Sequence, residues 1–226
     1  MNVISKVLRG VGYLVVPLLG PAMLWLLAIG CARLPIPMQI IHEDQHLLIR
    51  TEQVASTGDY SHPIVLNAED IARILKGISV QDRPTSWPLR LFGKTAEPGR
   101  LFRDDDIRDI APYLANGLQA AKPNERISFA LNAPGPNPNY EHYVTSGWIA
   151  IRGPFFHIAL DYVRNLQPRS PTHNYYPFYP EMPPAPPASN VFFEPQEFWR
   201  ADPVDGDPAV QFRDYLHTVA PQNEGG

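Results

Sequence analysis

RISFALNAPGPNPNYEHYVTSGWIAIRGPFFHIALDYVR, residues 126–164, is the stretch whose reading decides the fold. Ile127, Phe129 and Leu131 alternate with polar or small residues, so one face of an extended segment is apolar. Residues 133–139 hold Pro134, Gly135, Pro136 and Pro138 and predict a loop. Residues 143–152 and 155–164 flank Gly153-Pro154, a turn signal, and Phe156, Ile158, Leu160 and Tyr162 share a face. Three neighbouring strands of this kind predict an antiparallel meander and the centre of the core.

Working outward, residues 67–78 read as a helix. Asn67 is placed to cap it, Glu69 and Asp70 sit at its positive end, and Ile71, Ile74, Leu75 and Ile78 form one stripe. Gly77 is its expected C-cap. A second helix is expected from Asp104-Asp105-Asp106, with Ile107, Ile110, Ala111, Leu114 and Leu118 on one face. Pro112 predicts a kink or a division into two short helices. A third helix is expected to start at Asp207-Pro208, with Phe212, Tyr215, Leu216 and Val219 as its stripe. Residues 38–41 and 47–50 predict two short strands about the polar turn Glu43-Asp44-Gln45. Residues 87–92 and 191–193 predict two more. The fold class is therefore α+β: a mainly antiparallel sheet with two or three packed helices. One domain is expected over residues 38–220, including a proline-rich loop at 168–189, with a disordered tail at 221–226. In that loop Tyr175, Tyr176, Phe178 and Tyr179 favour packing on the domain's own surface over a free linker. Docking to an aromatic-grooved partner is the sharper alternative.

The chain of 226 residues carries a formal charge of −4 and no Lys/Arg cluster, which argues against nucleic acid and against electrostatic docking on anionic lipid. Its single cysteine, Cys31, permits no internal disulfide, CxxC pair or thiolate metal cage. That cysteine has a particular setting. Lys6 and Arg9 give a basic start, residues 10–32 hold no charged side chain, and Leu26-Leu27-Ala28-Ile29-Gly30 leads to Cys31. The run resembles the lipobox of bacterial lipoproteins. The resemblance covers about the first 31 residues and implies a diacylglyceryl group on Cys31, removal of residues 1–30, and acylation of the new N-terminus. Residues 31–37, with Pro35 and Pro37, then form a short spacer that keeps the body close to the membrane. Ala32, where an aspartate favours inner-membrane retention in enteric members of the family, leans the expectation to the outer membrane. An uncleaved single-pass helix is the competing expectation, since about 20 apolar residues span a bilayer.

Candidates for chemistry are few. His42-Glu43-Asp44-Gln45-His46 matches the H-E-x-x-H string, which binds zinc when both histidines lie one turn apart on a helix and the glutamate activates a water. Here apolar residues on both sides favour strands, and a hairpin points the histidines apart. Ser61-His62 beside Asp59 is sequence adjacency, and a triad is a matter of spatial geometry. The three acids at 104–106 are explained by a helix N-terminus. His157 and His217 read as packing or surface residues, and Trp148 and Trp199 as core or as the lining of a glycan or peptide groove. No cofactor is implied. The expected role is a non-enzymatic binding or envelope-assembly module, lipid-anchored with its body in the periplasm and an envelope protein as partner. A zinc hydrolase built on His42, Glu43 and His46 is the enzymatic alternative.

Overall fold

The computed structural model describes residues 39–54, 60–82, 97–168 and 189–219. Contacts divide the chain into two units, Met1–Ile36 and Pro37–Gly226, and every described residue belongs to the second. The readings of residues 1–38, 87–92, 169–188 and 221–226 lie outside the described residues, and so do Cys31 and its spacer.

The meander is present and longer than its apolar alternation. Strands β5 (Glu125–Pro134), β6 (Glu141–Arg152) and β7 (Phe155–Pro168) pair antiparallel, with Ile127 opposite Ile149 and Ile149 opposite Ile158. Ala133 and Pro134, assigned to a loop, complete β5, and Pro134 stands opposite His142 at the strand's exposed end. There a missing N–H matters least. Strands β1 (Ile40–Glu43) and β2 (Leu47–Gln53) extend the sheet on one side. Strands β9 (Trp199–Ala201) and β10 (Pro208–Gln211) extend it on the other, giving the order β1-β2-β5-β6-β7-β10-β9. A second sheet, β4-β3-β8, joins Gly99–Arg100, Ile78–Asp82 and Ser189–Phe193. Pro168 and Ser189 thus close β7 and open β8, which trims the expected loop at both ends.

Among the described residues three helices complete the α+β fold: α1 (Ala68–Gly77), α2 (Asp104–Ala120) and α3 (Phe212–Val219). Among the described residues no helix is long and apolar enough to cross a membrane. The Asn67 side chain accepts from Asp70 N at 2.7 Å, as a cap does. The acids of α2 are engaged locally: Asp106 takes the Arg103 guanidinium and backbone N–H, Asp104 pairs with Arg100, and Asp105 with Arg108.

Three expectations are corrected. First, the division into two short helices does not occur: α2 continues through Pro112 as one helix. That residue is exposed, so the Arg108 carbonyl that lacks its N–H partner faces water, and the buried stripe Ile107, Ile110, Ala111, Leu114 and Leu118 holds the helix together. Second, Asp207-Pro208 starts no helix. Pro208 opens β10, which pairs with both β7 and β9, and α3 begins four residues later at Phe212. Ala209 and Val210 are wholly buried in that short strand, so tertiary burial overrides the local start signal. Third, Gly77 ends α1 without left-handed backbone, since Gly153 and Gly206 are the described glycines with positive φ. A Cβ on Gly77 would lie 2.5 Å from the Phe193 ring and 2.6 Å from the Glu194 carbonyl oxygen, so glycine is needed for close approach to β8.

One core unites these parts. Ile49, Ile127, Phe129, Ile149, Phe156 and Ile158 face the helices, and Ile71, Ile74, Leu114, Val80 and Phe193 belong to the same cluster. The other face of the large sheet has a different composition.

Candidate functional site

Side chains alternate across a sheet, so the residues between the core positions on β2, β5, β6 and β7 point the other way. They include Glu52, Arg126, Ser128, Trp148, Ala150, Arg152, His157, Ala159 and Asp161. Register confirms the sharing of a face: Glu52 stands opposite Arg126, Ser128 opposite Trp148, Trp148 opposite Ala159, and Ala150 opposite His157.

Two groups form on this face. In the middle, Arg126 donates through Nε and Nη2 to Glu52 Oε2, both at 3.2 Å, and its guanidinium lies 4.9 Å from the Trp148 ring centroid. Burial pushes the half-buried Asp161 carboxyl up; Arg126 opposes the shift and Glu52 adds to it. This group offers an aromatic ring, a cation and two carboxylates on one rigid sheet, a combination suited to contacting a polar ligand or partner.

The second group lies where the β6–β7 turn meets the β9–β10 loop. Asp202 is 1% exposed. Its Oδ2 accepts from His157 Nε2 at 2.8 Å and from Arg152 Nη1 at 3.0 Å, and its Oδ1 accepts from Val204 N at 2.9 Å. Arg152 Nη1 also donates to Asp205, whose other oxygen takes the Asp207 N–H. Burial holds the His157 ring below the ordinary histidine value, and Arg152 adds to the effect against the pull of Asp202. Burial opposes the charge on Arg152, but Asp205 and Asp202 hold its value up. The candidate donor atoms of His157, Asp202 and Asp205 all lie within 4.8 Å of one another, a spacing a metal ion can use. The set does not fit one, because Arg152 already places its positive charge between the two carboxylates. The arrangement ties an edge hairpin to the sheet by a guanidinium.

The residues singled out from sequence are scattered. His42 and His46 lie on either side of the β1–β2 hairpin turn, not on one face of a helix. Asp44 organises that turn, accepting from His46 N at 2.7 Å and Leu47 N at 2.8 Å and from His42 Nε2 at 2.9 Å. Against the effect of partial burial, these donors hold its carboxyl below the ordinary value. The His42 ring stacks on Tyr113 of α2 with centroids 3.8 Å apart. Ser61 Oγ accepts from Gly153 N at 2.8 Å. His62 is buried, with Nδ1 donating to the Glu125 carbonyl at 2.9 Å and Nε2 accepting from Ile151 N at 3.0 Å. Both ring nitrogens are therefore committed to the backbone. His217 is an exposed residue near the end of α3.

Sequence reasoning missed Arg152, Asp202 and Asp205. One signal was available. Asp202-Pro203-Val204-Asp205-Gly206-Asp207 packs three acids with proline and glycine into six residues, a turn with carboxylates to spare, and Gly206 does take positive φ. Nothing local indicates that the turn closes on His157. No protein-family model, curated protein or solved structure matches the chain.

Proposed function

We propose that this protein is a membrane-anchored lipoprotein whose α+β domain acts as a non-enzymatic binding or envelope-assembly module at the periplasmic face of the membrane. The observation that carries the reading is the uncharged run ending in Gly30-Cys31, which puts the chain's one cysteine where the lipoprotein family is acylated. Three acyl chains there anchor the protein firmly, whereas one short chain binds only marginally. The short spacer holds the body near the bilayer, and the outer membrane is the favoured address. The binding role draws support from the sheet face built on Glu52, Arg126, Trp148 and Asp161, which presents charge and an aromatic ring together. The non-enzymatic role draws support from the histidines. His42, His62 and His157 each make contacts that hold a turn or a loop in place. The test is in-envelope crosslinking from Trp148→para-benzoyl-phenylalanine, followed by identification of the captured species. A discrete envelope-protein adduct is expected; crosslinks no different from those of a probe at exposed Glu69 overturn the binding surface.

A further inference from the structure

His62 holds residues 60–66 against one end of the large sheet. That segment crosses three elements. Tyr60 N donates to the Pro123 carbonyl at 3.0 Å, Ser61 N to the Ile151 carbonyl at 2.7 Å, and Ile64 N to the Leu118 carbonyl at 3.1 Å. Ser61 Oγ takes the Gly153 N–H, and His62 joins the start of β5 to the end of β6. Ile64 and Leu66 pack against the core, so the segment covers apolar surface. The imidazole is central because it must donate at Nδ1 and accept at Nε2. Only the neutral ring with its proton on Nδ1 does both; the imidazolium has two donors and no acceptor, and would set an N–H against the Ile151 N–H.

We propose that His62 is a proton-operated latch: uptake of a proton by its ring releases residues 60–66 from the end of the seven-stranded sheet. The titratable and charged groups around the ring are few. Tyr60 stacks on it at 5.6 Å, and Arg152 lies 5.5 Å from the Tyr60 ring. Glu125 supplies the accepting carbonyl, while its carboxylate accepts from Lys122 N at 2.9 Å and pairs with Lys122 Nζ at 3.6 Å. Burial keeps the closed-state ring below the ordinary histidine value, against the pull of Glu125. The sign follows. Released, the ring regains an ordinary value of about 6.5. Below that pH the released state holds more protons than the closed one, so acid favours release, and closure is complete only above it.

The test uses the full chain in detergent micelles, with amide hydrogen exchange resolved by residue and corrected for intrinsic rates. The amides of Tyr60, Ser61, Ile64, Ile151 and Gly153 report on the latch. Between pH 6.5 and the closed-state value their protection is expected to fall by up to about tenfold per pH unit, while Phe129 in mid-sheet keeps its own. In parallel, the His62 ring is titrated by nuclear magnetic resonance in the unsubstituted protein, which remains informative if variants fail to fold. The ring is expected to protonate together with the loss of protection. Ring protonation with all five amides still protected overturns the proposal. So does the same acid loss in His62→Gln, because glutamine has no proton to take up in this range.

Discussion

Asp202 shares one carboxylate oxygen between an imidazole and a guanidinium, and its burial sets the size of what its removal does. With the Asp202 side chain 1% exposed and that of Arg152 18% exposed, Asp202→Asn leaves a largely desolvated guanidinium and imidazole short of a charge. Breaking such a pair from one side costs about 3 kcal/mol, which for a domain of this size lowers the melting temperature by roughly 5–10 °C. Asp205 binds the same Arg152 nitrogen but its side chain is 33% exposed, so water can replace it. Asp205→Asn should cost no more than about 1 kcal/mol. Thermal unfolding of the two variants side by side checks the argument, and equal losses would contradict the assignment of Asp202 as the buried member. The cluster also shows where sequence reading stops at this scale. His157 could be placed on a strand, and the acids in a turn, from local signals. Their meeting depends on β10 inserting between β7 and β9, which no local pattern specifies.

Elements were legible where their pattern is long and one-sided. The stripes of α1 and α2 and the alternation of β5 and β7 depend on burial against a single face, and they hold in the folded chain as far as Leu75 of α1 and Leu160 of β7; Ile78 opens β3, and past Leu160 a register shift sets Tyr162 opposite Ser146 and brings Val163 to the core. Short elements were legible only in part: β1 and β8 were expected from local signals, and others were not. The strands β3 and β10 have five and four residues, too few to show a period, and β10 was masked by a helix-start signal. Two element-scale substitutions test the packing. Gly147 lies on β6, and a Cβ there would fall 2.1 Å from the Ala159 carbonyl oxygen and 3.0 Å from the Leu160 Cα. The obstacle is backbone, which no rotamer change relieves. Gly147→Ala should therefore cost about 2–3 kcal/mol, seen as a lower urea midpoint; an unchanged midpoint would mean that β7 does not approach so closely. Pro112 predicts the opposite sign. It is exposed in mid-helix and lacks an N–H for the Arg108 carbonyl, so Pro112→Ala restores a bond and removes a poor helix former. The propensity difference of about 3 kcal/mol is an upper bound on the gain, and roughly 1–2 kcal/mol should appear as a higher midpoint. A loss would show that the proline ring itself is a packing contact.

At the scale of the whole molecule the point to test is the proposed attachment of the unit Pro37–Gly226 to a membrane. The proposed anchor places all the attachment on one residue, Cys31, through its Sγ and its new α-amino group, and the consequences of removing that Sγ are distinct from those of a membrane-spanning helix. Each buried methylene contributes on the order of 0.8 kcal/mol, so three acyl chains together hold the chain far more firmly than one. Lipid transfer to Cys31 precedes cleavage in the lipoprotein family that this segment resembles. Cys31→Ser should therefore abolish incorporation of a labelled fatty acid and leave a precursor that retains residues 1–30. The unsubstituted protein should migrate faster, with an intact mass lower by residues 1–30 and higher by the lipid. Membrane retention alone cannot decide between the readings, because the uncleaved precursor keeps its apolar run and can remain bound through it. Label and mass together do decide. A spanning helix predicts that both proteins keep residues 1–30, take up no label and fractionate alike. Continued labelling of Cys31→Ser would place the lipid elsewhere and remove the basis of the anchor, since the chain has no second cysteine to receive it.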